Sequence, residues 1–180
     1  MLAIKIKKKI VEKSEIILKK INLGQRGVAD GNYEEQKIGL IGQLTIYDLL
    51  NVEPPKFRSS GFDGGYDLVL NGNKIDIKTM GRKVKMKDHY VHNFIGLQKE
   101  YENDLYIFCS YNKTTEMLEI CGWISKKDFF EKFKFYKKGT KRYRDDGTFF
   151  PTKADLYEIE NSKLISIKSK EELGKIGRKN

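Results

Sequence analysis

The 180-residue chain carries 35 lysines and arginines against 25 acids, for a net charge of +10 and a pI near 9.4. Hydrophobic residues make up 39% and aromatics 12%, which excludes a disordered chain and is enough for one domain with a real core. The charge favours a polyanionic partner, nucleic acid first, or else a lysine-rich solvated surface; no apolar run approaches the ~20 residues that span a bilayer, so no membrane partner is expected.

Residues 1–23 read as an N-terminal amphipathic helix or arm, with apolar and lysine residues at near-helical spacing over 3–20. They hold no continuous apolar stretch, so a signal peptide is not expected. Residues 24–180 then form one domain. After the loop "NLGQRGVADGN", Asn32 caps a helix over 33–50, with Glu35 at the capping-box position. Ile38, Ile41, Ile46 and Leu49 fall in one arc of about 140° on that helix. Leu40, Leu44 and Leu50 lie outside it, so more than one side is covered. Pro54 and Pro55 prevent its continuation.

Strands are expected at 66–70, 74–79, 104–111 and 116–124, and a helix opens at Ser125. Residues 137–151 read as a basic, aromatic loop, and "LYEIE" and "KLISIK" as a closing strand pair. The order predicts an α/β domain around one mixed sheet. Cys109 and Cys121 sit in apolar, β-like runs and read as buried thiols, which gives weak grounds for a cytoplasmic location. Trp123 reads as core.

The segment "GFDGGYDLVLNGNKIDIKTMG" gathers three acids and two lysines around a short hairpin. A turn at Gly72-Asn73 sets Asp67 opposite Lys78 and Val69 opposite Asp76. Asp67, Asp76 and Lys78 then share one face, and Leu68, Leu70, Ile75 and Ile77 the other. The first face is either the wet side of an ordinary hairpin or a metal site. Two converging carboxylates repel unless a cation lies between them, and oxygen-only ligands suit Mg²⁺ or Mn²⁺. The Ile77 carbonyl is a further candidate ligand, and Lys78 a group to orient a water or hold charge on a phosphate.

An acid on one strand followed by acid-x-lysine on the next, here Asp67 and Asp76-Ile77-Lys78, resembles the signature of the PD-(D/E)XK nuclease superfamily, including its small phage and prokaryotic members. In that family the preceding helix often carries a glutamate in a Gly-x-x-Gly-Glu setting. Here "GLIGQ" puts Gln43 in its place, and Glu35, about 80° round the helix, is the alternative. The stretch "NDLYIFCSYNKTTEMLEICGWISKKDFFEK" resembles the later strand–strand–helix part, so the similarity spans roughly residues 25 to 160. The resemblance implies a single restriction-endonuclease-like domain, a central mixed β-sheet flanked by helices. It implies a Mg²⁺- or Mn²⁺-dependent endonuclease acting on DNA, with Asp67 and Asp76 holding the ion and Lys78 beside the attacking water. A homodimer would supply a second centre for the second strand. The alternatives are a non-catalytic nucleic-acid-binding protein on the same fold and a basic viral interaction protein whose hairpin acids are simply exposed.

Arg82, Lys83 and Lys85 leave the Asp-Ile-Lys strand directly and are candidate phosphate contacts, as are Lys141, Arg142 and Arg144 in "KFKFYKKGTKRYR", where Tyr143 is a candidate for base stacking. Asp63 reads as a turn former. His89 and His92 read as exposed or nucleic-acid-contacting. Gln98 and Tyr101 read as the surface of a plain helix.

Overall fold

The computed structural model describes residues 1–23, 31–57, 65–143 and 147–178. Its elements run β1 (Leu2–Lys5), α1 (Lys8–Lys20), α2 (Tyr33–Leu50), β2 (Leu68–Leu70), β3 (Asn73–Arg82), β4 (Val91–Ile95), β5 (Leu105–Asn112), β6 (Met117–Ser125), α3 (Lys126–Lys132), β7 (Lys134–Tyr136), β8 (Lys141–Tyr143), β9 (Phe149–Pro151), β10 (Leu156–Glu160), β11 (Ile165–Ser166) and α4 (Lys170–Gly174). The main sheet has the order β1-β6-β5-β3-β2, with β11 added beside β6. β3 and β5 run parallel, Ile75 beside Leu105 through Arg82 beside Asn112, while the other pairs are antiparallel. The fold is mixed α/β. A parallel pair needs a crossover, and here the crossover contains β4, which joins β10 and β7 in a second, three-stranded sheet.

Alternation along β3 divides the interior. Ile75 and Ile77 pack toward Leu40, Ile41, Leu44 and Tyr47 of α2, in a cluster that also takes Ile10 and Leu18 of α1. α2 is therefore covered on several sides, as its apolar residues beyond the main arc require. On the other side Phe94, Tyr106, Phe108 and Phe129 form an aromatic cluster between the two sheets. Asn32 and Glu35 form the capping box: each side chain accepts from the other's backbone N–H, at 3.0 and 2.9 Å. Ser125 caps α3.

Three expectations need correction. Leu2–Lys5 are strand, paired to β6, and the helix starts only at Lys8; "LAIKI" also reads with period two, and pairing to an open sheet edge decides between the periods. With Ile10 and Leu18 in the core, residues 1–23 are built into the fold. "LYEIE" and "KLISIK" do not pair with each other: β10 lies between β4 and β7, and β11 pairs with β6. The segment 137–151 contains the β8–β9 ladder. Cys109 and Cys121 are buried as expected, and burial pushes both thiols up, Cys121 to about 12. No helix among the described residues is long and apolar enough to cross a membrane.

Candidate active site

β2 and β3 turn through Asn71 and Gly72, both at positive φ (51° and 78°), the dipeptide that a two-residue type I′ hairpin demands. The ladder pairs Leu70 with Asn73, Val69 with Lys74 and Leu68 with Ile75. The expected turn at Gly72-Asn73 is thus displaced by one residue and every partner by two. An even shift keeps the faces, but Asp67 no longer lies across from Lys78. It brackets Asp76 instead. The Asp67 N–H donates to the Ile75 carbonyl (2.8 Å), and Asp67 Oδ2 accepts from the Ile77 N–H (2.6 Å). The carboxylate takes a ladder position where β2 ends. Adding the bonds from Ile77 N back to Asp76 Cα places Oδ2 within about 5 Å of that Cα. N–H and C=O of one strand residue point to the same side, so the Ile77 carbonyl faces Asp67 too.

The helix reaches the same point because Gly42 lets it sit on β3: a Cβ there would stand 1.9 Å from Thr79 Oγ1. The next residue, Gln43, donates through Nε2 to Asp67 Oδ1. One turn on, the Tyr47 hydroxyl donates to the Asp67 main-chain carbonyl. Gln43, the candidate read on this helix, thus reaches Asp67.

Asp76 is 5% exposed, and Lys78 Nζ lies 2.8 Å from its Oδ2. This is an ion pair without hydrogen-bond alignment, since Oδ2 accepts no well-directed hydrogen bond among the described residues. Lys78 Nζ is also 5.8 Å from the centroid of the Phe94 ring. Tyr106 stands beside Asp76 on β5; burial, and secondarily the Asp76 charge, push its hydroxyl well above the usual range and keep it protonated. The face carrying Asp76 and Lys78 is therefore not a wet hairpin face but is closed in by the aromatic cluster.

These donors fit a small hard cation. Mg²⁺ is commonly held by one or two carboxylates, with water and substrate phosphate completing its shell. Two acids and the Ile77 carbonyl are donors of the kind that meets that need. No cluster of three or more His, Cys, Asp or Glu side chains forms among the described residues, and Asp63 lies outside them.

Other candidates are placed elsewhere. Glu35 is engaged in the capping box about 12 Å along the helix axis from Gln43, so it does not reach the site. Arg82 folds inward, donating to the Val91 carbonyl with Tyr90 against its guanidinium, and is no open phosphate contact. Lys83 and Lys85 are exposed. Arg142 is bound to Glu158 through Nε (3.0 and 2.9 Å), which removes it from that role. Lys141 and Tyr143 are exposed, and Arg144 lies outside the described residues. His92 is fully buried on β4, with Nε2 3.3 Å from Asn161 Oδ1, contrary to the exposed reading. Gln98 is buried in a 3₁₀ turn instead of lying on a helix surface. Tyr47 and Tyr106 were missed. Tyr47 was findable, since i+4 from Gln43 shares its helix face, whereas Tyr106 depends on a parallel register that no local pattern announces.

Set against family models, curated proteins and solved structures, the chain matches none of them.

Proposed function

We propose that the chain is a Mg²⁺- or Mn²⁺-dependent endonuclease of the PD-(D/E)XK type, on a restriction-endonuclease-like fold, hydrolysing phosphodiester bonds in DNA. The observation that carries this reading is that Gln43 and the Ile77 N–H both hold the Asp67 carboxylate, while Asp76 and Lys78, paired at 2.8 Å, flank Ile77 on the same strand. Asp67, Asp76 and the Ile77 carbonyl would hold the cation, which when bound supplies charge neutralisation at the phosphate oxygens. The Gln43 amide and the Ile77 N–H fix the orientation of the Asp67 carboxylate. The Lys78 ammonium, with three donors, orients the attacking water and holds charge that develops on a phosphate oxygen. Phe94 and Tyr106 keep bulk water from one side, which strengthens every charge interaction inside. The surplus of basic residues draws the phosphate backbone in.

The test is cleavage of plasmid, linear, single-stranded and branched DNA with Mg²⁺ and with Mn²⁺. Cleavage is expected with at least one of these ions, and EDTA, Asp76→Ala and Lys78→Met should each abolish it. Circular dichroism confirms that each variant is folded. DNA binding without cleavage, surviving both EDTA and Asp76→Ala, would assign a binding protein and end the nuclease reading.

A further inference from the structure

β8 and β9 pair Lys141 with Pro151, Arg142 with Phe150 and Tyr143 with Phe149. Cross-strand partners share a face, so Lys141, Tyr143, Phe149 and Pro151 lie on one side and Arg142 with Phe150 on the other. The polarity is the reverse of an ordinary surface hairpin. The guanidinium turns inward, onto the carboxylate of Glu158, which is 2% exposed, and against the Tyr136 ring at 5.2 Å. The rings turn outward: Tyr143 is 56% and Phe149 50% exposed, with centroids 5.6 Å apart. The Lys141 ammonium sits 4.9 Å from the Phe149 centroid. An isolated two-stranded hairpin is marginal, and the Arg142–Glu158 pair ties this one to β10. Leaving two large rings in water forfeits their burial, so the arrangement favours presentation over stability.

We propose that the outer face of β8–β9 is a stacking platform for unpaired nucleobases, which makes strands with unpaired bases the substrate class of the nuclease. The substrate assignment rests on the nuclease reading; the binding chemistry does not. Charge selects the occupant. Residues 134–153 hold seven lysines and arginines against two acids, and Lys137, Lys138, Lys141 and Lys153 are exposed. An apolar protein surface would leave those ammonium groups without counter-charges, and an acidic peptide offers few flat π surfaces. An unpaired strand supplies phosphates and π faces together, which is how aromatic platforms in basic grooves bind single strands.

The experiment measures fluorescence anisotropy of labelled oligonucleotides, single-stranded DNA, single-stranded RNA and blunt duplex, with the intact protein in EDTA so that no cleavage intervenes. Single strands of one or both sugars should bind more tightly than duplex, and comparison of the two sugars identifies the source of the bases. Tyr143→Ala and Phe149→Ala should each weaken single-strand binding roughly tenfold and leave duplex binding unchanged. Phe149→Tyr should restore it, and Lys141→Gln should lower the slope of log affinity against log salt by about 0.7. Melting curves check that the variants fold. Single-strand binding by the Tyr143→Ala/Phe149→Ala double variant equal to that of the parent overturns the platform, as does absence of single-strand affinity in the parent. Platform-dependent binding without cleavage would sink the nuclease reading alone; cleavage with unaltered binding in the double variant would sink the platform alone.

Discussion

The Asp67 carboxylate is hydrogen-bonded at 2.6 Å to the main-chain N–H of Ile77, the residue next to Asp76. One acid is thus fastened to the strand that carries the other. Preorganisation of this kind is what the proposed metal site would need.

Two carboxylates against the one ammonium of Lys78 leave the site with surplus negative charge. A divalent ion that binds only the folded state adds stability by mass action, about 2.7 kcal/mol at a hundredfold excess over its Kd. For a chain of this size that is a rise in Tm of about 5–10 °C. Thermal melts with Mn²⁺ or Mg²⁺ against EDTA should show it, and Asp76→Asn should remove it. A parent protein whose Tm ignores both ions has no such site.

Gln43→Glu gives a sharper test of the same geometry. The new carboxylate replaces an amide donor on Asp67 Oδ1 with a like charge. In EDTA the variant should lose about 1–3 kcal/mol, the cost of a partly buried acceptor left without its donor plus charge repulsion. In Mn²⁺ the deficit should shrink, because three acids then share a cation. Denaturant titration in the two buffers measures both values, and equal stability of variant and parent in EDTA would contradict the Gln43–Asp67 contact.

The helix carrying Gln43 depends on Gly42. A methyl group there meets Thr79, at 1.9 Å from Oγ1 and 2.9 Å from Cβ, whereas at Gly39 nothing lies within 4 Å. Gly42→Ala should therefore cost about 1–3 kcal/mol by overpacking and draw Gln43 off Asp67, which under the nuclease proposal lowers cleavage in step. Gly39→Ala, in the same helix, should gain about 0.5–1 kcal/mol from propensity alone. Similar effects at the two positions would mean that α2 does not approach β3 through Gly42.

The same contrast explains what was legible in the sequence. α2 announced itself through its capping box and apolar periodicity, and the strands around Ile75, Ile107 and Ile120 through short apolar runs of isoleucine, leucine and aromatic residues; these signals are local. The acid-x-lysine strand was also local, so Asp76 and Lys78 could be singled out as candidates. The hairpin register was misjudged because Asn71-Gly72 and Gly72-Asn73 overlap; the type I′ preference for Asn-Gly favours the first, and Asn71 and Gly72 are both at positive φ. Arg82, His92 and Arg142 were misassigned for a different reason. Each is polar and lies near basic residues in sequence, yet each is turned inward by a partner distant in sequence or by the β4–β10 sheet, whose pairing depends on tertiary structure. Composition sees the charge but not the buried acid or carbonyl that meets it.

Glu158 is buried and Arg142 partly so, and removing one partner of this pair costs more than the intact pair contributes. Arg142→Ala leaves the Glu158 carboxylate buried without its counter-charge and should cost about 3–5 kcal/mol, while a paired Arg142→Met/Glu158→Leu replacement should recover most of that loss. Chemical denaturation of the single and double variants completes the cycle. A single variant as stable as the parent would show that Glu158 is hydrated and that the hairpin is not anchored through this pair.

His92 ties stability to pH. Burial chiefly, with the Arg82 charge adding to it, lowers its pKa to about 4 despite the Asn161 contact. The unfolded chain takes up its proton near 6.5. Between these values the unfolded state binds more protons than the folded one, so stability rises with pH and is lost on acidification from about 6.5 toward 4. The full loss is on the order of 3 kcal/mol. Below pH 5 the carboxylates titrate as well, so the diagnostic interval is between about 5 and 6.5, where ordinary acids stay ionised. His92→Gln keeps a polar group of similar reach toward Asn161 but cannot titrate. Denaturant midpoints should fall with pH across that interval in the parent and stay level in the variant; parallel curves would place the titration on another group.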